Sequence, residues 1–521
     1  MDGNPWEAVL AAQDRPRTAR QRRAQMALVT TIVVAAVVLV GWNWLPTRTA
    51  PTIVYPVAEE SVRVNVSDVV DRLAPTFWGA NVGVNLPLTS ADATWMNATP
   101  VSLVRWPGGS SADAINYTTG EIRYDGGTTG VIAENLSAFV GWCRSIDCAA
   151  ILQLPGEIDD PATAAYDVAY TETTLGFHPT YWEIGDEPSR WTHFGVPWSA
   201  WNLSQAQNAS PLGYANEVHA YIAAIHQVDP AAAIIGLPGV GTGVYGEATW
   251  ITATVAVNGP NLSGVSVHVY PGGTPPNGTA SLAQFVANMT GARSLEGRVP
   301  ADRAAIANAC ATCGPIPLLV TEFGSGIQGG SFDPYIDGFP QVPYVAGELV
   351  QAMHLNLTSA DLFDVRSQHQ GAWSNASLVD RPLYTLYATL LPHLGTAVLD
   401  SSVSGTVPGF YAVATDLGTP GAVAMLLVNG NITTSVSVDL AASGFPVANL
   451  TGVWSWDGST GAPVYTALAG GPANWTLMPD SVLLVTTAPI PSTSTGYAPA
   501  TAPGSGASLA PFETRLARSA L

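Results

Sequence analysis

Two acidic residues occupy positions where a pair of carboxyl groups could do chemistry. Glu187 lies in Tyr181–Pro188, YWEIGDEP, and Glu322 lies in Pro317–Gly324, PLLVTEFG. An apolar run leads into each acid, so each Glu is expected just past or at the C-terminal end of a strand. Two carboxyls converging on one cleft are the equipment for glycosidic cleavage. One protonates the leaving oxygen, while the other attacks the anomeric carbon or activates water. Either Glu alone reads equally well as a solvated loop residue, and it is their joint placement that favours chemistry.

Other residues gather around that pair by position. His268 and Tyr270 in VSVHVY share one face of a strand, because side chains alternate with period two. Arg105 lies near the end of the run Ser102–Trp106 and is one of only 19 basic residues, all of them Arg. Trp78, Asn81 and Trp373 are candidates to line a sugar-binding cleft, with core packing as the alternative for the two Trp. Glu157, Asp159 and Asp160 read as a solvated loop.

To bring these residues together the chain needs strands that end at a common mouth. Short apolar runs alternate with helical stretches at residues 76–85, 102–106, 149–154, 180–184, 232–237, 264–270, 317–322 and 360–365. Eight such runs predict an α/β fold, a (β/α)8 TIM barrel over residues 76–395, with catalytic groups at the carboxyl ends of the strands. Helices are expected at 131–146, 211–228 and 381–394. Residues 396–489 lose helical periodicity and are expected to form an appended antiparallel β-sandwich. Residues 46–75 read as a linker in which Ser61–Val66, SVRVNV, adds a strand to that sandwich. Residues 490–521, rich in Pro, Ser, Thr, Ala and Gly, read as a disordered tail.

On these motifs the chain resembles clan A of the retaining glycoside hydrolases. WEIGDEP is similar to the acid/base stretch of the heparanase and β-glucuronidase family, and RWPGG (Arg105–Gly109) to a motif shared with the α-L-arabinofuranosidases. VTEFG is also similar to the xylosidase and iduronidase family. The resemblance implies Glu187 as general acid/base and Glu322 as nucleophile, with Tyr270 and Arg105 orienting the nucleophile and no metal or organic cofactor. His268 would contact substrate or sit satisfied in the core. Asp186 departs from the pattern, since the resembling enzymes have Asn there, donating to the sugar 2-hydroxyl. Either a protonated Asp186 replaces that donor, implying an acidic working pH, or Asp186 accepts from an altered sugar group. A carbohydrate-binding or surface-layer glycoprotein without activity is the alternative on the same fold.

Composition narrows the setting. The 521 residues carry 11% charged positions and a formal net charge of −20, which disfavours a nucleic-acid partner. Residues 1–25 form an Arg-rich tail, and 26–45 lie within an uncharged stretch long enough to span a membrane. An uncleaved transmembrane anchor is favoured over a signal peptide, which would put the catalytic domain outside the cell. Fourteen of the 22 Asn begin an N-x-S/T triplet, consistent with an exported glycoprotein. Cys143, Cys148, Cys310 and Cys313 fall in two close pairs, read as local disulfides, with a four-thiolate zinc site as the alternative.

Overall fold

The computed structural model describes residues 55–488 apart from 114, 118–120, 124–128, 133, 158–159, 193, 195–207, 238, 240–245, 272–286, 325–337 and 367–380. The first strand, β1 (Val57–Arg72), precedes the barrel. β2 (Trp78–Asn81) and β3 (Leu103–Trp106) open the barrel, and a small sheet of β4 (Ile115–Asn116), β5 (Glu121–Arg123) and β6 (Thr129–Val131) follows. The barrel continues with β7 (Ala149–Leu154), β8 (Tyr181–Ile184), β9 (Ile234–Gly236), β10 (Gly264–Val269), β11 (Leu318–Phe323) and β12 (Ser359–Leu362). Every adjacent pair is parallel and the ring closes from β12 to β2. All eight expected strands are present, each within a few residues of its expected bounds.

Sequence explains most of these elements directly. β7, β10 and β11 are almost wholly buried, as parallel strands covered on both faces must be, which is why they read as continuous apolar runs. Helix Pro211–Val228 begins where the Ser210 side chain accepts from the Gly213 N–H and Pro211 takes the first turn. Both are favoured there because the first helical N–H groups have no partner within the helix. The helix expected at 131–146 is shorter, Leu136–Ser145. Asn135 caps it, so the preceding residues through Val131 are free to pair as β6 instead.

The barrel interior is layered. Leu103, Ile151, Ile235 and Leu319 pack against one another as a closed apolar floor. Two residues further along their strands stand Arg105, Gln153 and Thr321, all fully buried and polar. Period-two alternation keeps both sets pointing inward and lifts the second one step towards the mouth.

After the barrel come β13 (Ala397–Ser404), β14 (Phe410–Asp416), β15 (Val423–Asn429), β16 (Ser435–Asp439), β17 (Gly452–Trp456), β18 (Val464–Ala467), β19 (Asn474–Leu477) and β20 (Ser481–Thr486). With β1 they form one nine-stranded curled sheet around its own apolar core. The expectation of a purely antiparallel sandwich needs correcting: β1 runs parallel to β16 while pairing antiparallel with β13. Nor is 46–75 simply a linker, since 16 of its residues form that strand. Buried Glu60 fixes the strand by accepting from the Thr406 and Val407 N–H groups.

The cysteines pair as Cys143–Cys148 and Cys310–Cys313, so the four-thiolate zinc alternative does not hold. The expected anchor at 26–45 and the tail at 490–521 lie outside the described residues. Among the described residues no helix is long and apolar enough to cross a membrane.

Candidate active site

Arg105, at the penultimate position of β3, organises the mouth. Its guanidinium is fully buried and donates from Nε to Glu183 Oε2 at 2.5 Å, from Nη1 to Glu322 Oε1 at 2.7 Å and Asn81 Oδ1 at 3.0 Å, and from Nη2 to Asp186 Oδ1 at 2.8 Å. A planar fork with fixed donor directions can hold several acceptors at once, which a lysine ammonium cannot do in the same geometry. Burial alone would lower its proton affinity, yet Glu183, Glu322 and Asp186 together outweigh it and leave it raised. The group is a permanent cation.

Glu322 is the penultimate residue of β11, with Oε1 on Arg105 and Oε2 accepting from the Tyr270 hydroxyl at 2.8 Å. Burial and the negative charge of Asp186 push its proton affinity well up, against the pull of Arg105; Glu187 adds to the push and Tyr270 opposes it. Tyr270 is itself held well above the usual phenol range by burial and by Glu322, so it remains a donor.

A tight turn presents Asp186 and Glu187 beyond β8. Gly185 has φ 74°, and a Cβ there would stand 2.3 Å from the Trp191 ring, so only glycine fits. Glu187 follows with φ 38° in the left-handed region, a conformation costing a non-glycine residue about 1–3 kcal/mol. The turn is held by Trp191 Nε1 donating to the Asp186 carbonyl at 2.7 Å and by the Asp186 N–H donating to Asp113 Oδ1 at 2.6 Å. Burial raises Glu187, opposed chiefly by Arg190, whose Nη1 lies 2.7 Å from Oε2.

His268 joins the two acids. Its Nδ1 is 3.2 Å from Glu187 Oε1 and 3.4 Å from Glu322 Oε2. Burial lowers its proton affinity well below the imidazole norm, against the pull of Asp186, and so favours the neutral ring. Two carboxylate oxygens facing Nδ1 place the ring proton there. Gly239, φ 71°, lies so close to the ring that a Cβ would be 2.4 Å from Cγ.

Not every expected site residue reaches the cleft. Asn81 is fully buried, its Oδ1 taken by Arg105 and its amide by the Thr321 carbonyl at 2.8 Å. It supports Arg105 and is not free to line a sugar site. Trp78 alternates out of the barrel, away from inward Gly79 and Asn81, and packs edge-on against Phe77 in the main core. Trp373 lies outside the described residues, as does Asp159. Glu157 and Asp160 are not solvated: Glu157 is buried and accepts from the Thr192 N–H, while Asp160 caps helix Pro161–Ala169.

Sequence reading missed Glu183, Ser266 and Gln153. Glu183 accepts from the Ser266 hydroxyl at 2.8 Å as well as from Arg105, and Gln153 Nε2 reaches the Gly185 carbonyl at 3.3 Å. A signal existed for Glu183: it is an acid inside a four-residue buried strand, in phase with Gly185, and such a charge requires a partner. Asp186, His268 and Glu322 also offer ligand atoms within 4.8 Å of one another. Arg105 already supplies the positive charge between those two carboxylates.

No family model and no curated protein matches the chain. Solved structures do. A family 51 α-L-arabinofuranosidase from Bifidobacterium longum superposes with a TM-score of 0.66 at 17% identity, covering 82% of this chain and 99% of the other. The GH51 arabinofuranosidase from Xanthomonas axonopodis pv. citri gives 0.65 at 15%, covering 82% and 99%. A GH family 44 endoglucanase from Clostridium thermocellum gives 0.58 at 14%, covering 83% and 99%. The chain has the fold of these glycoside hydrolases. The likeness spans the barrel and the curled sheet together.

Proposed function

We propose that the protein is a retaining glycoside hydrolase acting on a polysaccharide or glycoconjugate. The observation that carries this reading is the imidazole shared by Glu187 and Glu322. The two contacts to Nδ1 cap the separation of Glu187 Oε1 and Glu322 Oε2 at their sum, about 6.6 Å. Retaining enzymes hold their carboxyls roughly 5–5.5 Å apart and inverting enzymes roughly 6.5–9.5 Å, so a separation under that cap supports the retaining reading.

The roles follow from the surroundings. Glu322 receives donors on both oxygens, Arg105 on one and Tyr270 on the other, and is the carboxylate that attacks the anomeric carbon. Glu187, raised by burial, is the acid that protonates the leaving oxygen and then the base that activates water. Its Oε2 faces half-exposed Arg190 at the rim, where a leaving group enters. Arg190 must give way as the glycosidic oxygen arrives, and Glu187 then binds its proton more tightly. The test is a screen with aryl glycosides, followed by a 2-deoxy-2-fluoro glycoside and mass spectrometry. Label on the peptide containing Glu322, with retained product configuration, is the expected result. Turnover with inversion would refute the mechanism.

The setting is an exported, membrane-anchored glycoprotein. The uncharged stretch after the Arg-rich tail supports the anchor, and the triplets support glycosylation. None of the eleven described triplet asparagines is buried, whereas Asn81, Asn258 and Asn429, which begin no triplet, are wholly buried. Protease added to intact cells should release a glycosylated fragment. Full protection and an unmodified mass would refute this.

A further inference from the structure

Beside the nucleophile the site presents two acceptors and no donor to share between them. Asp186 Oδ1 already accepts from Arg105 Nη2 at 2.8 Å and from Gln153 Nε2 at 3.4 Å, and it lies 3.9 Å from His268 Nε2. With the ring proton on Nδ1, Nε2 carries only a lone pair. It is buried, and it has no hydrogen-bond partner. A neutral ring nitrogen left unpaired in the interior costs its full desolvation unless a ligand supplies a donor. Two acceptors 3.9 Å apart can share one donor that stands within hydrogen-bond distance of each.

The position relative to the reaction identifies the part of the substrate concerned. One guanidinium joins Glu322 through Nη1 and Asp186 through Nη2, so Asp186 lies alongside the attacking carboxylate. The anomeric carbon has two ring neighbours, the ring oxygen, which bears no substituent, and C2. A group that reaches Asp186 and His268 while the anomeric carbon meets Glu322 is therefore the one on C2.

We propose that the enzyme is specific for glycosides of amino sugars whose 2-amino group is free and carried as an ammonium. An ammonium has three N–H donors and no lone pair, so it satisfies Asp186 and His268 Nε2 together. A 2-hydroxyl has one O–H and turns lone pairs towards the second acceptor, and a 2-acetamido group has one N–H and brings a carbonyl acceptor. Charge agrees with this choice. Glu183, Asp186 and Glu322 share one buried guanidinium while Glu187 pairs with half-exposed Arg190, so acids outnumber cations there, and the chain as a whole carries −20, which draws cations to it. The inference rests on the glycosidase reading above and names the substrate class of that same site.

The experiment compares 4-nitrophenyl glycosides of gluco, galacto and manno configuration, in both anomers, each in 2-amino, 2-hydroxy and 2-acetamido form. For at least one configuration kcat/KM is expected to be at least about tenfold higher for the free amine than for its 2-hydroxy and 2-acetamido counterparts. In Asp186→Asn that preference should collapse, since the amide oxygen that Arg105 and Gln153 hold in place of Oδ1 carries no negative charge for the ammonium. Calorimetric binding of the free 2-amino sugars against their neutral counterparts by the unsubstituted protein gives the same comparison without a variant. Hydrolysis of neutral glycosides with no preference for the amine would overturn this proposal and leave the glycosidase standing. An unchanged preference in Asp186→Asn would overturn it too. Hydrolysis of none of the glycosides, with no preferential binding of the free 2-amino sugars, would overturn this proposal, and the label on Glu322 tests the glycosidase reading separately.

Discussion

The two ends of the barrel interior are built on different principles. The floor of Leu103, Ile151, Ile235 and Leu319 is held by non-directional burial, worth about 25 cal/mol per Å² of apolar surface. The mouth of Asn81, Arg105, Glu183, Asp186 and Glu322 is held by directional bonds that converge on one guanidinium. Loss from the floor is therefore graded by volume. Loss from the mouth leaves buried charges without partners, and its cost is set by the group abandoned as well as by the group removed.

The sharpest break between the two ends should come from Glu322→Ala. Turnover is expected to fall at least about a thousandfold with the fold intact, and azide should restore part of it with inverted product configuration. A variant with near-normal turnover would take Glu322 out of the chemistry. Arg105→Lys should damage both properties. A point-like ammonium cannot reach Glu183, Asp186 and Glu322 together, so about 3–5 kcal/mol of stability is expected to be lost along with activity, read by urea unfolding and by kcat/KM. Leu319→Ala is the counterpart in the floor. It should cost about 2–5 kcal/mol of stability while kcat/KM per folded molecule stays near that of the unsubstituted protein.

A smaller effect tests whether buried acids outside the mouth behave like those within it. Burial pushes Asp167 and Asp302 up to about 7, with Asp160 and Glu247 adding to the displacement. A carboxyl held higher in the folded state than in the unfolded chain favours folding most when protonated in both. Its stability is full below about pH 4 and is lost as the pH rises towards about 7. Asp167→Asn and Asp302→Asn should each raise the melting temperature at pH 8 and change it little at pH 4. Equal shifts at both values would show that titration plays no part.

The smallest expected effect is kinetic and lies at the rim. Arg190 lowers the proton affinity of Glu187, so Arg190→Gln should move the alkaline limb of kcat/KM to higher pH, by less than about one unit because the arginine is half exposed. A shift to lower pH would mean that another group sets that limb.

The fold was legible because it depends on patterns that persist over many residues. Parallel strands buried on both faces must be apolar throughout, so β7, β10 and β11 announce themselves. β1 was harder to place, since its partners β13 and β16 lie hundreds of residues away and nothing in SVRVNV states that one pairing is parallel. Among the site residues, Glu187 and Glu322 were found because strand ends are recognisable. Asn81 was misplaced, and Trp78 took its core-packing alternative, because a side chain's neighbours depend on the phase of a four-residue strand that sequence does not fix.

By itself the sequence determined the alternation of strands and helices, the position of both acids at strand ends, the closeness in sequence of the paired cysteines and the acid at position 186. These depend on local period, turn chemistry and residue type. Only the tertiary structure decided that Arg105 is shared by three carboxylates, that Glu183 belongs to the site, and that His268 stands between the two acids with one nitrogen unpaired. Those contacts join residues 54 to 217 positions apart. Barrel closure alone brings them within hydrogen-bond distance, and a hydrogen bond has no energy until its partners meet.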